Sequence, residues 1–174
     1  DDHEVTNNWY PGEILDLPAY TEKRVDVLAA RARRAMFEYT PTAVRAPKGG
    51  RLYRRLSYGP LLDVFVLDMR TYKDANGPND SPTQRKGVLG AEQLAWLKSE
   101  LRRSKATWKV MAADLPIGLI VPDGSAQEGI AQGDDGAPLG REREIADLLS
   151  FAKRNRVRNM VWLTADVHYT AAHY

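Results

Sequence analysis

Three short apolar runs, residues 61–67, 108–113 and 160–163, each stop at an aspartate: Asp68, Asp114 and Asp166. Runs of four to seven such residues read as buried strands. Between them the apolar positions recur at helical spacing, with Leu94, Leu97 and Leu101 over residues 91–103 and Ile145, Leu148, Leu149 and Ala152 over residues 141–155. Alternation of apolar strands with amphipathic helices constrains the chain to an α/β architecture. In open sheets of that class the ligand crevice lies outside the carboxyl ends of the strands. Carboxylates gathered at that edge point to a cation site.

The remaining elements fit the same frame. Val25, Leu28, Ala29, Ala32, Ala35 and Met36 share one face of a helix expected over residues 21–39, with Thr21 as N-cap and Pro41 just past its end. Residues 52–58 form a further strand, separated from residues 61–67 by Gly59-Pro60. The predicted order is therefore helix, strand, strand, helix, strand, helix, strand. Residues 115–140 make a Gly- and Pro-containing loop longer than the roughly 12 to 15 residues beyond which a loop usually carries function or is disordered. Within it, Asp134-Asp135-Gly136 lacks the alternating ligands and terminal Glu of a calcium loop and reads as a turn.

The chain of 174 residues has the size of one domain and balances 25 Lys and Arg against 23 Asp and Glu. Its basic residues are dispersed, and those on the first helix read as a solvated face, so no nucleic-acid partner is indicated. Without cysteine there is no disulfide scaffold, zinc finger, iron–sulfur cluster or thiol nucleophile in this segment. No apolar run reaches the roughly 18 to 20 residues of a membrane span. No serine stands in a Gly-x-Ser-x-Gly elbow and no Gly-rich phosphate loop carries a Lys, which removes serine hydrolase and P-loop chemistry.

The three histidines stand at the ends: His3 at one, His168 and His173 at the other. Asp1-Asp2-His3-Glu4, followed by Asn7-Asn8, gathers oxygen and nitrogen donors suited to hard or borderline metals, although the tetrapeptide alone reads first as a solvated chain end. Asp166-x-His168 follows an apolar strand directly. In an extended segment, side chains two apart point alike, so both are expected on one side as ligands, with His173 as a further ligand or an orienting group.

These blocks carry a resemblance. Asp1-Asp2-His3-Glu4-Val5 with Asn7-Asn8-Trp9, and Asp166-Val167-His168-Tyr169-Thr170-Ala171-Ala172-His173, are similar to the paired motifs of the PhoD-like alkaline phosphatases, within the calcineurin-like metallophosphoesterases. Leu67-Asp68-Met69-Arg70-Thr71-Tyr72 and Gln93-Leu94-Ala95-Trp96-Leu97 occupy the expected order between them. The resemblance implies a metallophosphoesterase-like β-sandwich flanked by helices, of which residues 1–174 are part, lacking the N-terminal motifs and the C-terminal end. It implies Asp2, Asp166 and His168 as metal ligands and His3 as a phosphate-contacting catalytic group. Arg70 is an anion contact on this reading, with an ion pair to Asp68 or another carboxylate as the alternative. Asp1, Asn8 and His173 would orient the ligands from one layer out. Ala165 stands where many relatives have Gly.

By the same resemblance the metals are iron and calcium, the substrates phosphate mono- or diesters, and the parent protein secreted or periplasmic. A second expectation belongs to the segment by itself: an inactive half-site that binds metal weakly at most, since a site lacking part of its ligands loses both charge and preorganisation.

Overall fold

The computed structural model describes residues 2–42, 51–83 and 87–173, so Asp1 lies outside the described residues. The elements run α1 (Val25–Tyr39), β1 (Arg54–Tyr58), β2 (Leu62–Val66), α2 (Gly90–Arg103), β3 (Trp108–Ala112), β4 (Pro122–Asp123), β5 (Ala126–Gln127), α3 (Glu142–Arg154) and β6 (Met160–Leu163). The predicted order is present, with one addition: β4 and β5, a two-residue hairpin inside the long loop.

Four strands form one mixed sheet in the order β1-β2-β3-β6. The Gly59-Pro60 turn returns β2 antiparallel to β1, whereas β3 and β6 add in parallel through crossovers that contain α2 and α3. Successive parallel strands step across the sheet in one direction. Right-handed crossovers then leave both helices on the same face. Phe65 and Met111, paired in register, are buried there with Leu97, Leu101, Ile145 and Leu148.

The opposite face carries Leu56, Val64, Val110 and Val161 in one row and Val66, Ala112 and Leu163 in the next. None of these is buried, and Leu163 is 59% exposed. This corrects the expectation that the apolar runs of β2 and β6 are buried on both faces. Among the described residues, β6 is a sheet edge covered on one side only. Leu149 likewise departs from its expected place in the α3 stripe, being 43% exposed.

The first helix begins at Val25 instead of residue 21 because the preceding residues are engaged elsewhere. Ile14 and Arg24 form an antiparallel bridge, the Leu15 N–H donates to the Lys23 carbonyl at 2.8 Å, and the Val25 N–H donates to the Glu13 carbonyl at 3.0 Å. Thr21 therefore does not cap the helix, and Arg24 stands at the N-cap without a side-chain capping bond. Val25, Trp9 and Leu15 form a separate small core. Among the described residues no helix is long and apolar enough to cross a membrane.

Candidate metal centre

Asp2 is fully buried although it stands at the start of the chain. Its carbonyl accepts the N–H groups of Val5 (3.0 Å) and Thr6 (3.2 Å), and its carboxylate accepts the N–H of Asn8. Asn8 adopts φ 57°, a left-handed conformation that Asn tolerates better than most residues, and so closes the turn. The Asn8 side chain donates to Asp123 at 2.8 Å, tying the turn to the β4–β5 hairpin.

At the other end of the chain, Asp166 (φ 70°) and His168 (φ 52°) are both left-handed. The segment is not extended, so the two-residue spacing does not by itself put both side chains on one side. Asp166 meets Asp2 and Glu128: one ligand oxygen from each lies within 4.8 Å of the others. His168 turns to the rim, where its ring lies 5.2 Å from that of His3. His3 Nδ1 stands 2.9 Å from Asp2 Oδ1. Each terminal motif thus contributes an aspartate to the interior and an imidazole to the edge. His173 is exposed and is not among the converging ligands.

Arg70 runs through the middle of this cluster. Its guanidinium pairs with Asp114 and Glu128, with Asp166 at 2.9 Å and with Asp2 at 3.8 Å. Of the two sequence readings of Arg70, the ion pair is therefore present, but its partners do not include the Asp68 carboxylate. Asp68 accepts instead from the N–H groups of Arg70 (3.3 Å) and Thr71 (2.9 Å). Its own peptide is clamped by the buried side chain of Gln93, which accepts from Asp68 N–H at 2.9 Å and donates to Asp68 C=O at 2.7 Å. Of the three strand-end aspartates, Asp114 and Asp166 face the cluster and Asp68 shapes the loop that delivers Arg70.

Carboxylates outnumber cations in this space: four surround the Arg70 guanidinium, with the buried Lys73 beside them. Burial raises the pKa of both Glu128 and Asp166, the Arg70 charge opposes it, and neighbouring carboxylates push it up again. Burial works against the charge on Arg70 too, yet Asp114, Glu128 and Asp2 outweigh it and raise its pKa. Glu128 Oε2 and Asp114 Oδ1 are buried without a hydrogen-bond partner. Oxygen donors with excess negative charge and unused lone pairs are the setting that a hard cation satisfies.

Glu128 and Lys73 escaped the sequence reading. Glu128 sits in the long loop, whose length is the one signal that could have drawn attention to it. Lys73 is buried beside the cluster and donates to Asn76 and to the Asp74 carbonyl (3.3 Å). Burial, reinforced by the Arg141 charge, lowers its pKa to about 7. Asn76 in turn donates to Asp123 (2.8 Å) and to the Asn8 carbonyl (2.7 Å), which joins three loops at one side of the site.

A helix-covered mixed sheet whose carboxyl edge assembles buried carboxylates, with imidazoles at the rim, defines an α/β protein with a candidate cation site. The family model for PhoD-like phosphatases matches residues 1–174, and the chain belongs to that family. It is 33% identical to alkaline phosphatase D of Bacillus subtilis (strain 168), over 97% of this chain and 30% of that protein. A solved structure titled "Structure of PhoD" superposes with a TM-score of 0.68 at 28% identity, over 97% of this chain and 33% of the other. The chain spans about a third of the length of these relatives.

Proposed function

We propose that the protein to which this chain belongs hydrolyses phosphate mono- or diesters at a metal centre, with Asp2, Asp166 and His168 as ligands from this chain and Glu128 as an additional one. The observation that carries the reading is the convergence of Asp2, Glu128 and Asp166 oxygens within 4.8 Å in a member of the PhoD-like phosphatase family. Carboxylate oxygens with an imidazole at the rim suit iron and calcium, the ions the sequence resemblance implies. Such ions, when bound, polarise phosphoryl oxygens and acidify a coordinated water.

The chain's own residues supply the surroundings of that chemistry. Asn8 orients the Asp2 carboxylate through its backbone N–H. Arg70 holds Asp2, Asp114, Glu128 and Asp166 against their mutual repulsion, and it contacts a phosphoryl group only by exchanging one of these carboxylates for it. His3, at the rim and held near Asp2, delivers a proton to the departing ester oxygen. The uncovered sheet face supports a further proposal: another sheet of the parent protein packs there and completes a metallophosphoesterase-like β-sandwich. Export to the cell exterior or periplasm goes with this reading through the family.

The test uses the full-length parent protein. Asp166→Asn and His168→Ala are each expected to lower bound metal and to reduce hydrolysis of p-nitrophenyl phosphate and its bis-ester by 100-fold or more, on the order of losses at catalytic metal sites. Normal turnover in either variant rejects the ligand assignment. His3→Ala is expected to slow alkyl phosphates by about 10²- to 10⁴-fold and p-nitrophenyl esters far less, because only the poor leaving group needs the proton. Equal losses on both substrates would remove His3 from that role. For the isolated segment, the share of the relatives it covers favours an inactive half-site.

A further inference from the structure

We infer that Arg141 is a positioning residue that aims Glu128 into the metal centre. This rests on the reading of Glu128 as a ligand and extends it to a residue that touches neither metal nor substrate. Arg141 immediately precedes α3 and is fully buried. The hydrogen-bond acceptors of its guanidinium among the described residues are peptide carbonyls, and the nearby Asp74 and Glu128 carboxylates favour its charge without bonding to it. Nη1 donates to Gln127 C=O at 3.0 Å and to Gly129 C=O at 3.1 Å, the two carbonyls that bracket Glu128, and Nη2 donates to Ala75 C=O at 2.8 Å. Burying a guanidinium to satisfy neutral carbonyls is costly, so the geometry it imposes needs a use.

The segment is held from its other side as well. Glu128 N–H and Gly129 N–H both donate to Val121 C=O, at 2.9 and 3.1 Å. Gly129 has no room to grow, since a Cβ there would lie 2.8 Å from Val121 N. Asn79 fixes Arg141 itself, accepting its N–H at 2.7 Å and donating to Ile130 C=O at 2.8 Å. Gly140 permits that approach, because a Cβ at this residue would stand 2.0 Å from Asn79 O. The backbone at Glu128 is thereby fixed on both flanks, and its carboxylate enters the cluster in one direction. Lysine cannot replace this clamp: its tetrahedral head does not present the planar fork that spans several carbonyls.

The experiment compares Glu128→Gln, Arg141→Met and the double variant in the full-length parent protein, stripped of metal and titrated with Mn²⁺ alone by calorimetry. Each single variant is expected to weaken Mn²⁺ binding by about 10- to 100-fold, and the double variant no more than the weaker single. Excess Mn²⁺ is expected to restore aryl phosphate turnover in Arg141→Met, which a general loss of structure would not allow. Multiplying losses in the double variant, or wild-type affinity in Arg141→Met, overturns the inference while leaving the ligand reading intact. Wild-type affinity in Glu128→Gln overturns both. Should Arg141→Met show no cooperative melting, Arg141→Lys, which keeps the charge and loses the planar fork, carries the test: a comparable loss of Mn²⁺ affinity supports the inference, and wild-type affinity rejects it.

Discussion

Asp63 and Asp166 are the same residue type under opposite electrostatic regimes. Burial disfavours both charges, but Asp63 accepts from Ser57 and Ser104 and pairs with Arg55 at 2.7 Å, and these partners lower its pKa. Asp166 shares one guanidinium with three other carboxylates, and its pKa rises. The first carboxylate is satisfied and belongs to the scaffold; the second still has binding capacity. The sign of the linkage follows for Asp63. A depressed pKa adds stability that is present above the ordinary value of 3.8 and is lost as pH falls through the lower folded value. Asp63→Asn is expected to cost about 1–3 kcal/mol at neutral pH and to flatten the acid limb of a urea-midpoint profile below about pH 4 in the parent protein. An unchanged acid limb would show that the network does not discriminate the charged form.

At the scale of elements, α2 starts without a cap of its own, since Leu89 supplies no side-chain acceptor. Glu144 of α3 takes that place: its carboxylate accepts from Val88, Leu89 and Gly90 N–H at 2.8, 2.9 and 3.0 Å. One helix thus caps the other and fixes their packing on the sheet. Glu144→Ala is expected to lower stability by about 1–2 kcal/mol in chemical denaturation of the parent protein, with Glu144→Gln recovering part, and an unchanged midpoint would count against the cap. This contact marks where sequence reading stops. Helix and strand periodicity is local, so α2, α3 and β6 were legible almost to the residue. The start of α1 was not, because residues 23–25 bond to residues 13–15 instead of winding early. The β4–β5 hairpin has two-residue strands, too short for any period. Within the site, the strand-end positions of Asp114 and Asp166 were visible. The Asp68 carboxylate is taken up by the N–H groups of Arg70 and Thr71, with its peptide held by Gln93, 25 residues away, and Glu128 occupies a loop that has no pattern to read.

For the whole molecule, one covered and one uncovered sheet face divide the surface unequally. Among the described residues, Leu56, Val161 and Leu163 are exposed at the two edges of that side, with Val64, Val66, Val110 and Ala112 only partly covered between them. The 174-residue chain by itself is expected to bind the dye ANS, to associate as concentration rises in light scattering, and to leave p-nitrophenyl phosphate intact. The parent protein is expected to hydrolyse the ester with little dye binding. Turnover by the short chain would reject the half-site reading.

The meeting of Asp2 with Asp166 has a consequence for how the molecule is made. These residues lie far apart in sequence, so their contact closes a long loop and costs more chain entropy than any helical turn or hairpin contact. On the proposed metal reading, a cation held between them would bind the folded chain and not its intermediates, so metal supply would raise the yield of folded protein through mass action.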